Sequence, residues 1–229
     1  MALRYLWLVS QPKQRARSSQ DKELRKTALL DAARELAIEQ GAREVTLTAV
    51  TARVGLHASA LRRYFESREE LLLELAEHGW DEWRNSLVNG LGDSRGLTAG
   101  EVATIVSDSL ERLPLFCDLL THVALSLEGA VRLERARRYK TAASVAYDAM
   151  TQALVDADAG LDHQGARTLL SAAMSCAAYL YQLSRPTATL RQLYAEEPRW
   201  AHDALRFHEQ LTTLLTAVAL GARQNASNA

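Results

Sequence analysis

The chain has 229 residues and a mass of 25.3 kDa, enough to bury a real core, and its 48% hydrophobic and 24% charged content is that of an ordinary soluble globular protein. The net charge of −1 hides an asymmetry: residues 1–68 carry 13 Lys and Arg against 7 Asp and Glu, a balance of +6, while the rest carries 14 against 21, a balance of −7. A basic front joined to an acidic back is the polarity expected if only the front meets phosphate. Four prolines and an abundance of Ala, Leu, Arg and Glu favour helix, and no stretch alternates with period two for long enough to argue a sheet. The two cysteines, Cys117 and Cys176, lie in apolar helical contexts without CxxC spacing, which reads as reduced core residues of a cytoplasmic protein.

The opening MALRYLWLV is too short for a membrane span and lacks a charged leader and a small-residue cleavage site, so it is not read as a signal peptide. The polar, basic QPKQRARSSQ follows without periodicity. Its Lys13, Arg15 and Arg17 suit either a leader without structure or an arm along DNA phosphates. The expected division is a flexible basic extension over 1–20, a small helical domain over 21–67, a larger helical domain over 68–222 and a disordered tail over 223–229.

The first helix is expected from Asp21 to Gln40, with Leu24, Ala28, Leu29, Ala32, Ala33, Leu36 and Ala37 at helical spacing. Ser18, Ser19 or Asp21 would cap its start, and Gly41 stands where a left-handed C-cap is wanted. Two short helices, about Leu47–Val54 and Ala58–Phe65, flank Gly55, Leu56 and His57 in the manner of a helix-turn-helix. On the second, a spacing of about 100° per residue puts Leu61 and Phe65 on one face, with Ser59 and Arg63 opposite and Ala60 and Arg62 beside them. Two adjacent arginines and a hydroxyl on the free face of so short a helix suit phosphate contacts or a bidentate Arg to guanine.

Ser67-Arg68-Glu69-Glu70 forms a capping box that starts a long helix to about Asn89, and the helix N-terminus with Arg68 beside it makes a candidate phosphate clamp. After a glycine-containing loop, Thr98 to Glu101 is a second capping box before a helix to about Arg112, and Pro114 begins another helix. A long helix follows over about Ala130–Asp156. Its Arg132, Arg135, Arg137, Arg138 and Lys140 read as a solvated face or, alternatively, as a site for an acidic ligand or partner. Two further helices, about Gln164–Ser184 and Arg199–Ala222, are joined through Pro186 and Pro198. The small residues of the first allow close packing, either within the chain or against a second copy.

From Asp21 to Leu75 the order of features resembles the tetracycline-repressor (TetR) family of bacterial transcriptional regulators. The features are an amphipathic helix, a glycine, a Thr-rich second-helix start, A-x-x-G-hydrophobic in the turn, and a short helix closing in Tyr64-Phe65 before S-R-E-E-L. The resemblance implies an all-α fold, with a three-helix DNA-binding domain before a larger helical domain that binds a small-molecule effector and dimerises through its last two helices. Together with the free helix face read above, it gives the DNA-contacting candidates Thr46, His57, Ala58, Ser59, Arg62, Arg63, Tyr64 and Arg68. Thr46 would cap the second helix and touch phosphate, Arg68 would hold a phosphate, and the Tyr64 hydroxyl would face DNA while its ring sits nearer the core. The family usually has Ser or Thr at His57, an aromatic at Arg62 and Lys at Arg68, so Arg62 is the least conventional residue of the set. Ligand binding would move the helix starting at Arg68 and change the separation of two readers on half-sites about one helical turn, or a multiple, apart.

Trp80, Trp83, Phe116, His122, Tyr147, Met150, Met174 and Tyr179 are the candidate effector-pocket residues, although each taken singly suits a core. No G-x-G-x-x-G, P-loop, H-E-x-x-H or Glu-x-x-His pair is present, and Thr212 stands where a zinc motif beginning at His208 needs its second histidine. The sequence therefore argues for no enzyme, no cofactor, no metal and no membrane span. The expected function is a dimeric regulator of double-stranded DNA, released by an unknown small molecule. A DNA-binding or architectural protein without a ligand is the alternative, and an all-helical enzyme is a distant third.

Overall fold

The computed structural model describes residues 12–57, 61–158, 160–201 and 205–227, and among these the chain is all-helical. The main helices are α1 (Pro12–Gln40), α2 (Leu47–Arg53), α3 (Arg68–Leu91), α4 (Ala99–Glu111), α5 (Pro114–His122), α6 (Leu133–Ala157), α7 (His163–Ser184), α8 (Ala188–Glu196) and α9 (Phe207–Ser227). A π-helical turn over Val123–Leu127 and a 3-10 turn over Glu128–Ala130 lead from α5 towards α6.

The organising element is α3. From Leu71 to Glu77 every residue is buried, because α1, α4, α5 and α6 all pack on it. Its start is fixed by Ser67, whose hydroxyl accepts from the Glu70 amide at 3.1 Å, and the Glu70 carboxylate reaches back to the Glu66 amide at 2.6 Å. The Thr98–Glu101 capping box is present in full at the start of α4. Gly41 takes φ 92° directly after α1, and its amide closes the helix on the Ala37 carbonyl at 2.9 Å.

Three boundaries differ from the sequence expectation. The basic segment from Pro12 is helical backbone continuous with α1 rather than an aperiodic stretch, so the helix does not start at Ser18, Ser19 or Asp21. The last helix runs past Ala222 to Ser227 instead of ending in a disordered tail. Arg223 anchors it by pairing with the buried Asp158 and donating to the Leu97 carbonyl. The stretch expected as a joiner between Pro186 and Pro198 holds α8, capped by Thr187 accepting from the Leu190 amide, and the helix expected from Arg199 opens instead as a 3-10 turn over Pro198–Trp200, with α9 running from Phe207.

Close approach between α3 and α5 depends on Gly79. A Cβ there would lie 2.3 Å from Phe116 Cδ2 and 2.9 Å from Phe116 Cγ. The Phe116 ring is held in turn by Trp80 and Trp83, with centroids at 5.5 and 5.8 Å, so it has no easy retreat. Gly79→Ala is expected to destabilise the fold by about 1–2 kcal/mol, overpacking exceeding the gain in helix propensity. A lower urea midpoint at unchanged slope is the expected reading, and an unchanged midpoint would show that Phe116 yields freely.

Candidate functional site

The front of the chain builds a small reader. Thr46 caps α2 by accepting from the Ala49 amide at 3.1 Å, and α2 buries Val50 and Thr51. The turn passes through Gly55 at φ 67°, and the Leu56 amide returns to the Thr51 carbonyl at 2.9 Å. Beyond it the Tyr64 and Phe65 amides both close on the Leu61 carbonyl, at 2.8 and 3.0 Å. Leu61 and Phe65 are 0% and 1% exposed, while Arg62 and Arg63 face solvent and Tyr64 is half-buried. The helical wheel drawn from sequence therefore holds for these residues. His57 is exposed; Ala58 and Ser59 lie outside the described residues.

Arg68 departs from the role the resemblance implies. Its guanidinium turns back onto the reader, where Nε donates to the Val45 carbonyl at 2.5 Å and one terminal nitrogen donates to the Ala42 and Arg43 carbonyls at 2.8 and 2.7 Å. These carbonyls belong to the junction between α1 and α2, so Arg68 braces that junction instead of reaching outward for phosphate. The N-terminus of α3 does not supply the expected clamp either: Ser67 occupies it, and Glu66, Glu69 and Glu70 surround it with negative charge.

The eight candidate pocket residues do not come together as one pocket. Trp80, Trp83 and Phe116 form a packed aromatic cluster, with Trp80 Nε1 donating to the Tyr139 hydroxyl at 2.9 Å and Trp83 Nε1 to Ser109 Oγ at 3.0 Å. Burial pushes the Tyr139 hydroxyl up to about 12, so it stays protonated as the partner of Trp80. Tyr147 edges onto Trp80 at 6.4 Å, but its hydroxyl donates to the Arg167 carbonyl at 2.6 Å. Met150 is fully buried, Met174 half-buried, and Tyr179 points outward at 65% exposure.

His122 alone of the eight lines the large cleft, about 1250 Å³, that opens where the end of α1 meets α5, the end of α7 and α8. Sequence reading missed the residue at its floor. Asp118 is buried; Oδ2 accepts from the Ala42 amide at 2.7 Å, Oδ1 accepts from Gln182 Nε2 at 2.9 Å, and His122 Nε2 stands 3.5 Å away. One carboxylate thus ties the reader to α5 and α7. Burial alone would raise its pKa, but the bonds from His122, the Ala42 amide and Gln182 outweigh that and hold it below the usual carboxylate range. A lone acid in the otherwise apolar run PLFCDLLTH was the available signal. Its neighbour Cys117 is pushed up to about 12 by burial and stays a thiol.

Among the described residues, Asp108, Glu111 and His208 bring three potential metal-ligand atoms within 4.8 Å of one another. His208 Nε2 and Asp108 Oδ1 already meet at 2.6 Å, so this group serves as a tie between α4 and α9. Among the same residues no single helix is long and apolar enough to cross a membrane.

A short segment with two solvent-facing arginines, packed behind α1 and α2 and joined by α3 to a larger helical unit, is the arrangement expected of a DNA-binding transcriptional regulator. Two family models agree: "Bacterial regulatory proteins, tetR family" matches residues 29–75, and "Tetracyclin repressor-like, C-terminal domain" matches residues 77–226. The chain belongs to the TetR family. Members of that family are transcriptional regulators rather than enzymes. Among solved structures, the TetR regulator PfmR of Thermus thermophilus is 14% identical, with TM-score 0.53, covering 82% of this chain and 97% of its own. The fatty acid degradation regulator FadR of Bacillus halodurans is 12% identical at TM-score 0.52, covering 83% and 94%. Thermus thermophilus FadR, solved with lauroyl-CoA, is 20% identical at 0.51, covering 83% and 92%. At these identities the likeness is one of fold. Comparison with curated proteins finds no match.

Asp118→Asn keeps one acceptor oxygen but turns an amide donor towards one of its former donors. Because the folded-state pKa is depressed, the ionised Asp118 contributes stability above its unfolded value of about 4, and that contribution is lost as pH falls through the folded value. The variant is expected to be less stable than the parent at pH 7, with the gap closing below about pH 4. Thermal melts from pH 7 to pH 3 check this, and a gap independent of pH would contradict it.

Proposed function

We propose that this TetR-family regulator is a repressor that binds its operator as a homodimer and leaves it when a small molecule binds. The observation that carries DNA reading to particular residues is the split between buried Leu61 and Phe65 and exposed Arg62 and Arg63 on the same short segment. The buried pair fixes the segment on the reader, and the exposed pair offers forked donors matched to guanine edges or phosphate. Thr46, with its hydroxyl already capping α2, and the Tyr64 hydroxyl complete the contact set, with His57, Ala58 and Ser59 at its start. Arg68 supports the set from behind.

The dimer is assigned to α7 and α9. These two helices pack closely together: a Cβ at Gly165 would come within 3.2 Å of Ala222 Cβ. On their outer sides they leave apolar residues exposed, Tyr179 on α7 and Leu214 and Leu220 on α9, as a four-helix interface with a second copy requires. Release by a small molecule is supported by the cleft between reader and effector unit, and by the presence of lauroyl-CoA in a similar fold, Thermus thermophilus FadR.

Replacing both Arg62 and Arg63 by Ala is expected to weaken operator binding by about a hundredfold or more, with the thermal melt and the dimer unchanged. The operator is obtained by selection from a random duplex library, and affinity is read by fluorescence anisotropy at moderate salt. Unchanged affinity would remove this segment as the reader. Leu214→Glu is expected to shift the sedimentation coefficient from dimer to monomer at micromolar concentration. A variant that stays dimeric would move the interface off α9.

A further inference from the structure

We propose that the cleft between the reader and the effector unit binds an organic anion, an acid carried on a flat or apolar body, and that this compound is the effector. Its role as effector rests on the ligand-released reading above; its chemistry rests on the charges facing the cleft. Of the carboxylates there, Glu39 is held by both terminal nitrogens of Arg53 at 2.7 and 2.8 Å, and Asp118 is occupied by the Ala42 amide, Gln182 and His122. Of the arginines, Arg43 and Arg191 have no ion pair among the described residues, and Arg185 only stacks on the Tyr181 ring, 4.7 Å from its centroid. Three guanidinium groups therefore face the cleft against one uncommitted carboxylate, Glu44.

The remaining surface suits the body of such a ligand. Ile38 lies on the cleft at 54% exposure although it belongs to a core-forming helix, and the Tyr181 ring with Arg185 above it makes a flat, positively charged platform. The volume of about 1250 Å³ is ample for a drug-sized molecule. The arginines also come from both sides of the boundary: Arg43 is part of the reader, while Arg185 and Arg191 flank the start of α8. A molecule bridging them binds one relative placement of the two units better than others, which is the difference in affinity that a population shift needs. It does so directly above the Asp118 bond to Ala42 that holds the units together.

The probe is 1-anilino-8-naphthalenesulfonate, a flat apolar body with one fixed negative charge, titrated by fluorescence into the full chain. N-phenyl-1-naphthylamine, the same body without the sulfonate, is the neutral control. Arg185 and Arg191 are exposed and outside the DNA-contacting set, so the double variant Arg185→Gln/Arg191→Gln is expected to fold and to bind operator as the parent does. It is expected to bind the sulfonate about tenfold more weakly, whereas the parent prefers the sulfonate to the neutral control by a similar factor. Saturating sulfonate is expected to weaken operator binding by the parent about tenfold and by the double variant hardly at all. Equal sulfonate affinity in parent and variant, or equal affinity of the parent for both probes, overturns the proposed site and leaves the ligand-released reading standing. Arginine-dependent sulfonate binding that leaves operator affinity unchanged supports the anion site and overturns the ligand-released reading instead.

Discussion

Buried carboxylates on one helix have to be paired, and that constraint sets how the two halves of this regulator are joined. Glu74 on α3 meets Lys26 of α1 at 2.5 Å, and Glu77 meets Arg135 and Arg138 of α6 at 2.7 and 2.9 Å. Glu82 adds Arg34 of α1 at 2.7 Å, and Glu66, just before the helix, adds Arg132 at 2.6 Å. Stranding one member of a buried pair costs about 3–5 kcal/mol, so α3 cannot drift from α1 or α6 without a large penalty. The exposed pairs contribute little by comparison, and the burden falls on Glu74 and Glu77. Arg135 keeps Nε and its second terminal nitrogen without a partner among the described residues, so Glu77 is its main counter-charge.

Given that frame, the reader has few ways to move. Arg68 braces the carbonyls of the junction between α1 and α2, and Asp118 holds the Ala42 amide of the same junction from α5. The junction is thus clamped from both sides, by an arginine at the start of α3 and by a buried acid on α5. The large cleft opens beside the second clamp. The aromatic cluster of Trp80, Trp83 and Phe116 is separate from the cleft lining and serves to seat α5 on α3.

Much of this was legible in the residues. Helical periodicity, the Ser67 and Thr98 caps, Gly41 and Gly55 located the early elements, and the wheel from Leu61 to Phe65 separated core from surface correctly. Local signals of this kind act within a turn or two of helix, where the sequence carries the whole cause. The roles of Arg68 and of the aromatic residues depended on partners 23 to 59 residues away, and spacing does not reveal such partners. Arg68 in sequence is a charge at a helix start; only the fold shows three carbonyls facing it. Asp118 stood out as the one acid of an apolar run, but its role did not, since its donors come from Ala42 and Gln182, 76 and 64 residues distant. The helix α8 escaped because none of its residues is buried, leaving no strong apolar stripe to read.

The most direct test of a paired arginine reader carried by a two-fold dimer is hydroxyl-radical footprinting of the full chain on its selected operator. Two symmetric protected half-sites, with centres separated by about one helical turn or a multiple of it, are expected. A single, asymmetric protected patch at saturating protein would contradict it.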